Sequence, residues 1–243
     1  MIAVGMRLLL LAIAGLMLPE SADVAAPAPN YAQVYTIFIK GEPAGYESVT
    51  ESVGQSGDLI INSTHDLLIS DGLETKRMAF ATQMVLAKGS LEPISYLYKY
   101  TTDDSGDYCQ VTVKDSQVTR ILSRGGRVSQ VSIPFKPEMV ILDFSVYHHY
   151  DYLVRKYDTR KGGRQLFLDF LPPIGDAIPV ALTLQENASL ELGKQKLPVR
   201  KFLVEFVGIR TATLIADHKG RLVRLTIPAQ DLEVIRKDLL PEK

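Results

Sequence analysis

The stretch Leu59-Ile60-Ile61-Asn62-Ser63-Thr64-His65-Asp66-Leu67-Leu68-Ile69-Ser70, running into Asp71-Gly72, decides the fold. A two-residue hairpin favours Asp-Gly because both positions tolerate positive φ. Leu73 to Ala87 can pair back along the first run, which makes an antiparallel hairpin. The same rhythm extends in both directions. Upstream, Val34 to Ile39 stops at Gly41-Glu42-Pro43-Ala44-Gly45, and Tyr46 to Val53 follows. Downstream, Ile94 to Thr102 puts Tyr96, Tyr98 and Tyr100 on one face, and Asp103-Asp104-Ser105-Gly106-Asp107 turns the chain. Tyr108 to Lys114, Val118 to Ser123 and Arg127 to Ile133 read as further strands. Short strands at regular spacing predict a curved antiparallel sheet, a sandwich or a barrel.

One segment changes period. Val140, Ile141, Phe144, Tyr147, Asp151, Val154 and Tyr157 recur at three and four, after Pro137 and before Gly162-Gly163. This predicts one amphipathic helix near 138–158, packed on the sheet because an apolar sheet face must be covered. Strands resume from Arg164 to Leu171 and then, through several short runs, to Leu222–Ile227. The expected architecture is mainly β: a curved antiparallel sheet or unclosed β-barrel with one packed helix, a single domain over 31–236. Residues 237–243 form a charged tail.

The first 28 residues read differently. Arg7 precedes an apolar run from Leu8 to Leu18, Pro19 ends it, and small residues follow. That is the layout of a secretory signal, too short in its apolar part to span a bilayer comfortably. The expectation is an exported chain, periplasmic or secreted, with an uncleaved N-terminal anchor as the alternative. No later apolar stretch suits a membrane-spanning helix.

The formal net charge of the 243 residues is −1, with no basic excess to favour nucleic acid. Cys109 is the only cysteine, so no intramolecular disulfide forms, and its alternation with Val111 and Val113 predicts a buried thiol. The four histidines, His65, His148, His149 and His218, show no zinc-motif spacing, and no cofactor motif is present. His65 and Asp66 point to opposite sides of a strand. His148 and Asp151, three apart on the expected helix, are the weak candidates for a catalytic pair. Tyr96, Tyr98, Tyr100, Tyr147 and His148 are the candidates for ligand contact, because tyrosines can line a pocket with polar tips.

The segment Tyr35–Tyr46, with its Gly41-Glu42-Pro43-Ala44-Gly45-Tyr46, resembles the start of bacterial exported domains of unknown function. Leu91-Glu92-Pro93-Ile94-Ser95-Tyr96 adds to the likeness. The resemblance implies a curved sheet similar to the periplasmic lipoprotein carriers and brings no catalytic residues. Three functions follow as expectations. The first is an envelope binding protein for a hydrophobic or lipid-like ligand, undercut if its own large side chains fill the inner face. The second is an interaction module for an envelope protein, and the third a hydrolase-like enzyme using His148 and Asp151, the less favoured class.

Overall fold

The computed structural model of the protein describes residues 29–70, 74–100, 106–192 and 195–240. The expected signal segment 1–28, the Asp71-Gly72 turn and the Asp103-Asp104 pair lie outside these residues.

The first half of the chain is a meander of eight strands: β1 (Tyr31–Ile39), β2 (Glu42–Val53), β3 (Leu59–Ser70), β4 (Thr75–Leu86), β5 (Pro93–Tyr100), β6 (Tyr108–Lys114), β7 (Gln117–Arg124) and β8 (Arg127–Pro134). A two-residue strand, β9 (Met139–Val140), and the helix α1 (His149–Lys156) follow. The second half is another meander: β10 (Arg164–Leu171), β11 (Asp176–Leu192), β12 (Gln195–Phe206), β13 (Arg210–Asp217), β14 (Leu222–Ile227) and β15 (Leu232–Arg236).

All fifteen strands join one sheet, in the order β8 back to β1, then β15 back to β9. The last strand pairs antiparallel with the first, Ile37 opposite Val234, and fuses the two meanders. The sheet's two edges, β8 and β9, are consecutive in sequence. Only residues 135–138 separate them, so the chain holds the edges within about 18 Å at that end. The result is an unclosed, barrel-like sheet. Register shifts at Ile37/Phe38, Val85/Leu86, Leu184/Glu186 and Ile215/Ala216 bend it, since a bulge increases local twist.

Alternation decides what lies inside. On β2, Glu47, Val49 and Glu51 are buried, while Tyr46 faces out. On β3, Ile61, Ser63, His65 and Leu67 face in, and Asp66 faces out to Arg77 at 2.7–2.8 Å. Tyr35, Phe80, Tyr96, Phe170, Phe202 and Leu153 fill the interior and are almost wholly buried. The concave face is therefore occupied by the protein's own large side chains.

The helix is shorter than its sequence pattern implies: eight residues rather than the expected span near 138–158. The reason lies in the backbone partners before it. Met139 and Val140 pair in parallel with Leu168 and Asp169 of β10. The Leu142 amide donates to Asp169 Oδ1 at 2.8 Å and the Asp143 amide to His149 Nδ1 at 3.2 Å. Those donors are taken by side chains, so no helical turn forms there, and residues 139–142 are buried on every side. Asp143 lies ahead of the helix, where its carboxylate accepts from Tyr96. Gly162 and Gly163, expected to end the helix, adopt left-handed φ of 59° and 63° in the turn into β10. The parallel β9–β10 pair with α1 between them is a crossover, the connection that parallel strands need.

The tail begins as a 3-10 turn, Lys237–Leu239, tied back to β1 by Gln33 Nε2 donating to Asp238 Oδ1 at 3.1 Å. No helix among the described residues is long and apolar enough to cross a membrane.

Candidate functional site

α1 packs against the sheet with His149 to Val154 buried, and it brings polar groups with it. Three polar groupings hold it there. The first joins His148, just before α1, to β2 and β3. His148 Nδ1 lies 2.5 Å from Glu47 Oε1, and because a carboxylate only accepts, the nitrogen carries the proton and donates. The His148 amide also donates to Glu47 Oε2 at 3.2 Å. His65 Nε2 stands 3.4 Å from Glu47 Oε1 and 2.8 Å from Ser63 Oγ, which in turn meets Thr82 Oγ1 at 2.6 Å. Burial pushes the Glu47 carboxyl up, but the facing imidazoles and the bonds from His148 outweigh it and leave the carboxyl below its ordinary range. Burial pushes His65 down to about 4, with Glu47 opposing and His148 adding, so His65 is neutral at physiological pH.

The second grouping is an ionic lock. Arg221, in the β13–β14 turn, grips both oxygens of Glu51, one of them at 2.7 Å. Tyr152 of α1 donates to Glu51 Oε1 at 2.7 Å. Asp151 Oδ1 accepts from the Leu222 amide at 2.7 Å, and its Oδ2 lies 3.7 Å from Arg221 Nη1. Burial, partly offset by Arg221, pushes the Asp151 carboxyl up to about 7. His148 and Asp151 thus share the helix region but bond to different partners, and both are buried.

The third grouping reaches the barrel mouth. Tyr96 donates to Asp143 Oδ2 at 2.7 Å, beneath a pocket of about 210 Å³. Met78, Tyr98, Tyr100, Tyr108, Leu122 and Phe144 give the pocket an apolar, aromatic wall. Asp107, Arg124 and Asp143 supply its polar groups, and Cys109 contributes a thiol that burial pushes up to about 12, an unreactive one. A ring ladder leads from the histidine cluster to this mouth. His65 stacks on Phe80 at 4.1 Å, Phe80 on Tyr98 at 4.6 Å, and Tyr98 meets Tyr100 edge-on at 5.0 Å. The cross-strand register that sets His65 opposite Phe80 and Phe80 opposite Tyr100 builds the ladder.

Tyr98 and Tyr100 therefore line a pocket, while Tyr96 lies one layer deeper. Tyr147 and His148 are buried and do not line it. A wider recess of about 1090 Å³ lies on the outer side of β1 and β2, beside Thr36, Phe38 and Leu240. The mouth pocket is walled by aromatic rings, with the acidic Asp107 and Asp143 and the cationic Arg124 among them. Sequence reasoning missed Glu47 and its pairing with His65 and His148. One signal was present, since Glu47 and Glu51 fall in phase with the apolar Val49 on the same strand face.

No protein-family model and no curated protein matches the chain. Among solved structures it is similar to a β-barrel-like protein of the domain of unknown function DUF1849 from Brucella abortus. The TM-score is 0.59 and the identity 10%, and the match covers 85% of this chain and 94% of the other. The likeness is one of fold: an unclosed, barrel-like antiparallel sheet.

Proposed function

We propose that the protein is a binding protein of the cell envelope that takes a small apolar group, or the end of a lipid-like ligand, in the mouth pocket. The aromatic pocket bounded by Tyr98, Tyr100 and Phe144 carries this reading. Its size sets the ligand class. An apolar cavity of about 150 Å³ holds benzene, so about 210 Å³ suits one ring or a short alkyl end. The filled interior argues against wholesale enclosure of a lipid. Arg124 at the rim suits an anionic or polar head on such a ligand. The export signal read in residues 1–28 motivates the envelope assignment, as does the sequence resemblance to exported domains of unknown function.

Native mass spectrometry of protein purified from the envelope fraction without detergent, followed by solvent extraction, tests this. A stoichiometric small adduct, lost in Tyr100→Ala, is expected. A bare mass that stays bare after alkyl and aromatic ligands are added back would sink the reading. A second reading, strand addition by a protein partner, is favoured by β8. It is a terminal strand of the sheet, its residues are mostly exposed, and Val128 is 68% exposed. A protein adduct abolished by a proline within β8 would support that reading instead.

A further inference from the structure

We propose that Glu47, His65 and His148 form a buried site for a single divalent transition-metal ion, zinc being the best fit. The three residues come from β2, β3 and the turn before α1, and their ligand atoms lie within 4.8 Å of one another. Two imidazoles and a carboxylate are a donor set that zinc takes. Tetrahedral zinc with bonds near 2.0–2.1 Å sets its ligand atoms about 3.3 Å apart. The 3.4 Å between Glu47 Oε1 and His65 Nε2 already meets that spacing. The 2.5 Å between Glu47 Oε1 and His148 Nδ1 is a hydrogen-bond distance. On binding it opens by about 0.8 Å as the Nδ1 proton leaves and the metal replaces it.

Ser63 Oγ lies 2.8 Å from His65 Nε2. All three side chains are essentially fully buried. The ring nitrogens turned away from the metal position, His65 Nδ1 and His148 Nε2, have no hydrogen-bond partner among the described residues, so the rings are held by packing rather than by a second shell of acceptors. A metal held there ties the turn before α1 to two strands of the first meander, its three protein ligands leaving one tetrahedral position for a further ligand.

The test uses the full chain, stripped with a chelator and dialysed against Zn(II) or Co(II). Because the site is enclosed, metal is offered both to folded protein and during refolding from urea. The expected result is one bound equivalent by elemental analysis, a visible Co(II) spectrum of tetrahedral type and a raised melting temperature. His65→Gln and Glu47→Gln should each weaken binding by about a hundredfold or more, with far-UV circular dichroism showing the fold retained. No uptake by either route would overturn the proposal. So would stoichiometric uptake that survives both substitutions, because it points to a surface site such as the exposed His218. In either case the triad is a hydrogen-bonded brace only.

Discussion

Replacing Arg221 by Met removes one side of the buried lock between the sheet and α1. The Arg221 side chain is 15% exposed and that of Glu51 4%, so the pair is largely shielded from solvent. Breaking such a pair from one side costs about 3–5 kcal/mol because it strands the other charge. Here the stranded group is Glu51, left with Tyr152 and a more distant Arg155 at 3.6 Å. At about 2–4 °C per kcal/mol for a chain of this size, the melting temperature should fall by roughly 6–20 °C. Adding Glu51→Gln removes the stranded charge. The double variant should therefore lose less than the two single losses combined, by about 1–3 kcal/mol. Urea unfolding of all four proteins, followed by circular dichroism, measures this. The lock also sets a pH limb. Burial raises the Glu51 carboxyl, but Arg221, Tyr152 and Arg155 outweigh it and hold it below its ordinary range. A depressed folded value means its contribution is present above the unfolded value and lost as pH falls through the folded one. A loss under about 1 kcal/mol for Arg221→Met, or strict additivity in the double variant, would refute the reasoning.

Other expectations follow from the same packing. Leu153→Ala, on the fully buried face of α1, should cost about 2–5 kcal/mol in urea unfolding. Asp151 has a folded value raised to about 7, so its contribution is present at low pH and lost as pH rises from the ordinary carboxylate range toward 7. Asp151→Asn keeps an acceptor for the Leu222 amide and should flatten the stability profile over that window. His65, lowered to about 4, acts in the opposite sense: its contribution is full above about 6.5 and lost as pH falls toward 4. His65→Gln should remove one proton's worth of that acid slope, read by melting temperature against pH. Gly45→Ala should unfold the protein or cost several kcal/mol, because the added Cβ would lie 2.0 Å from the Asp66 carbonyl oxygen. Gly41→Ala, with open space around it, should lose only about 1 kcal/mol for its left-handed φ.

The strands were legible because alternation and turn chemistry are local. The run Leu59–Ser70 is a strand with the expected bounds, its partner starts at Thr75, and His65 and Asp66 face opposite ways. The shared face of Tyr96, Tyr98 and Tyr100 and the burial of Cys109 also follow from period two alone. The 3.6 period found the one helix but not its extent, which is 149–156 rather than 138–158. A segment buried on all sides carries apolar residues at every spacing, and the helical template matched them by density rather than by geometry. Where several short runs were expected, β11 runs unbroken from Asp176 to Leu192, with a register shift between Leu184 and Glu186. The fusion of β1 with β15 had no local mark, since it joins the two ends of the chain. The histidine cluster was hidden for the same reason, as Glu47 and His148 stand 101 residues apart.

Calorimetric titration with a homologous series of alkyl ligands of increasing chain length addresses the mouth pocket most directly. The pocket of about 210 Å³ predicts that affinity rises by about 0.8 kcal/mol per buried methylene and then levels off once the space is full. Filling it with Leu122→Trp should abolish the rise. No binding at any length, or a rise that continues without levelling and survives Leu122→Trp, would contradict a small aromatic binding site at the barrel mouth.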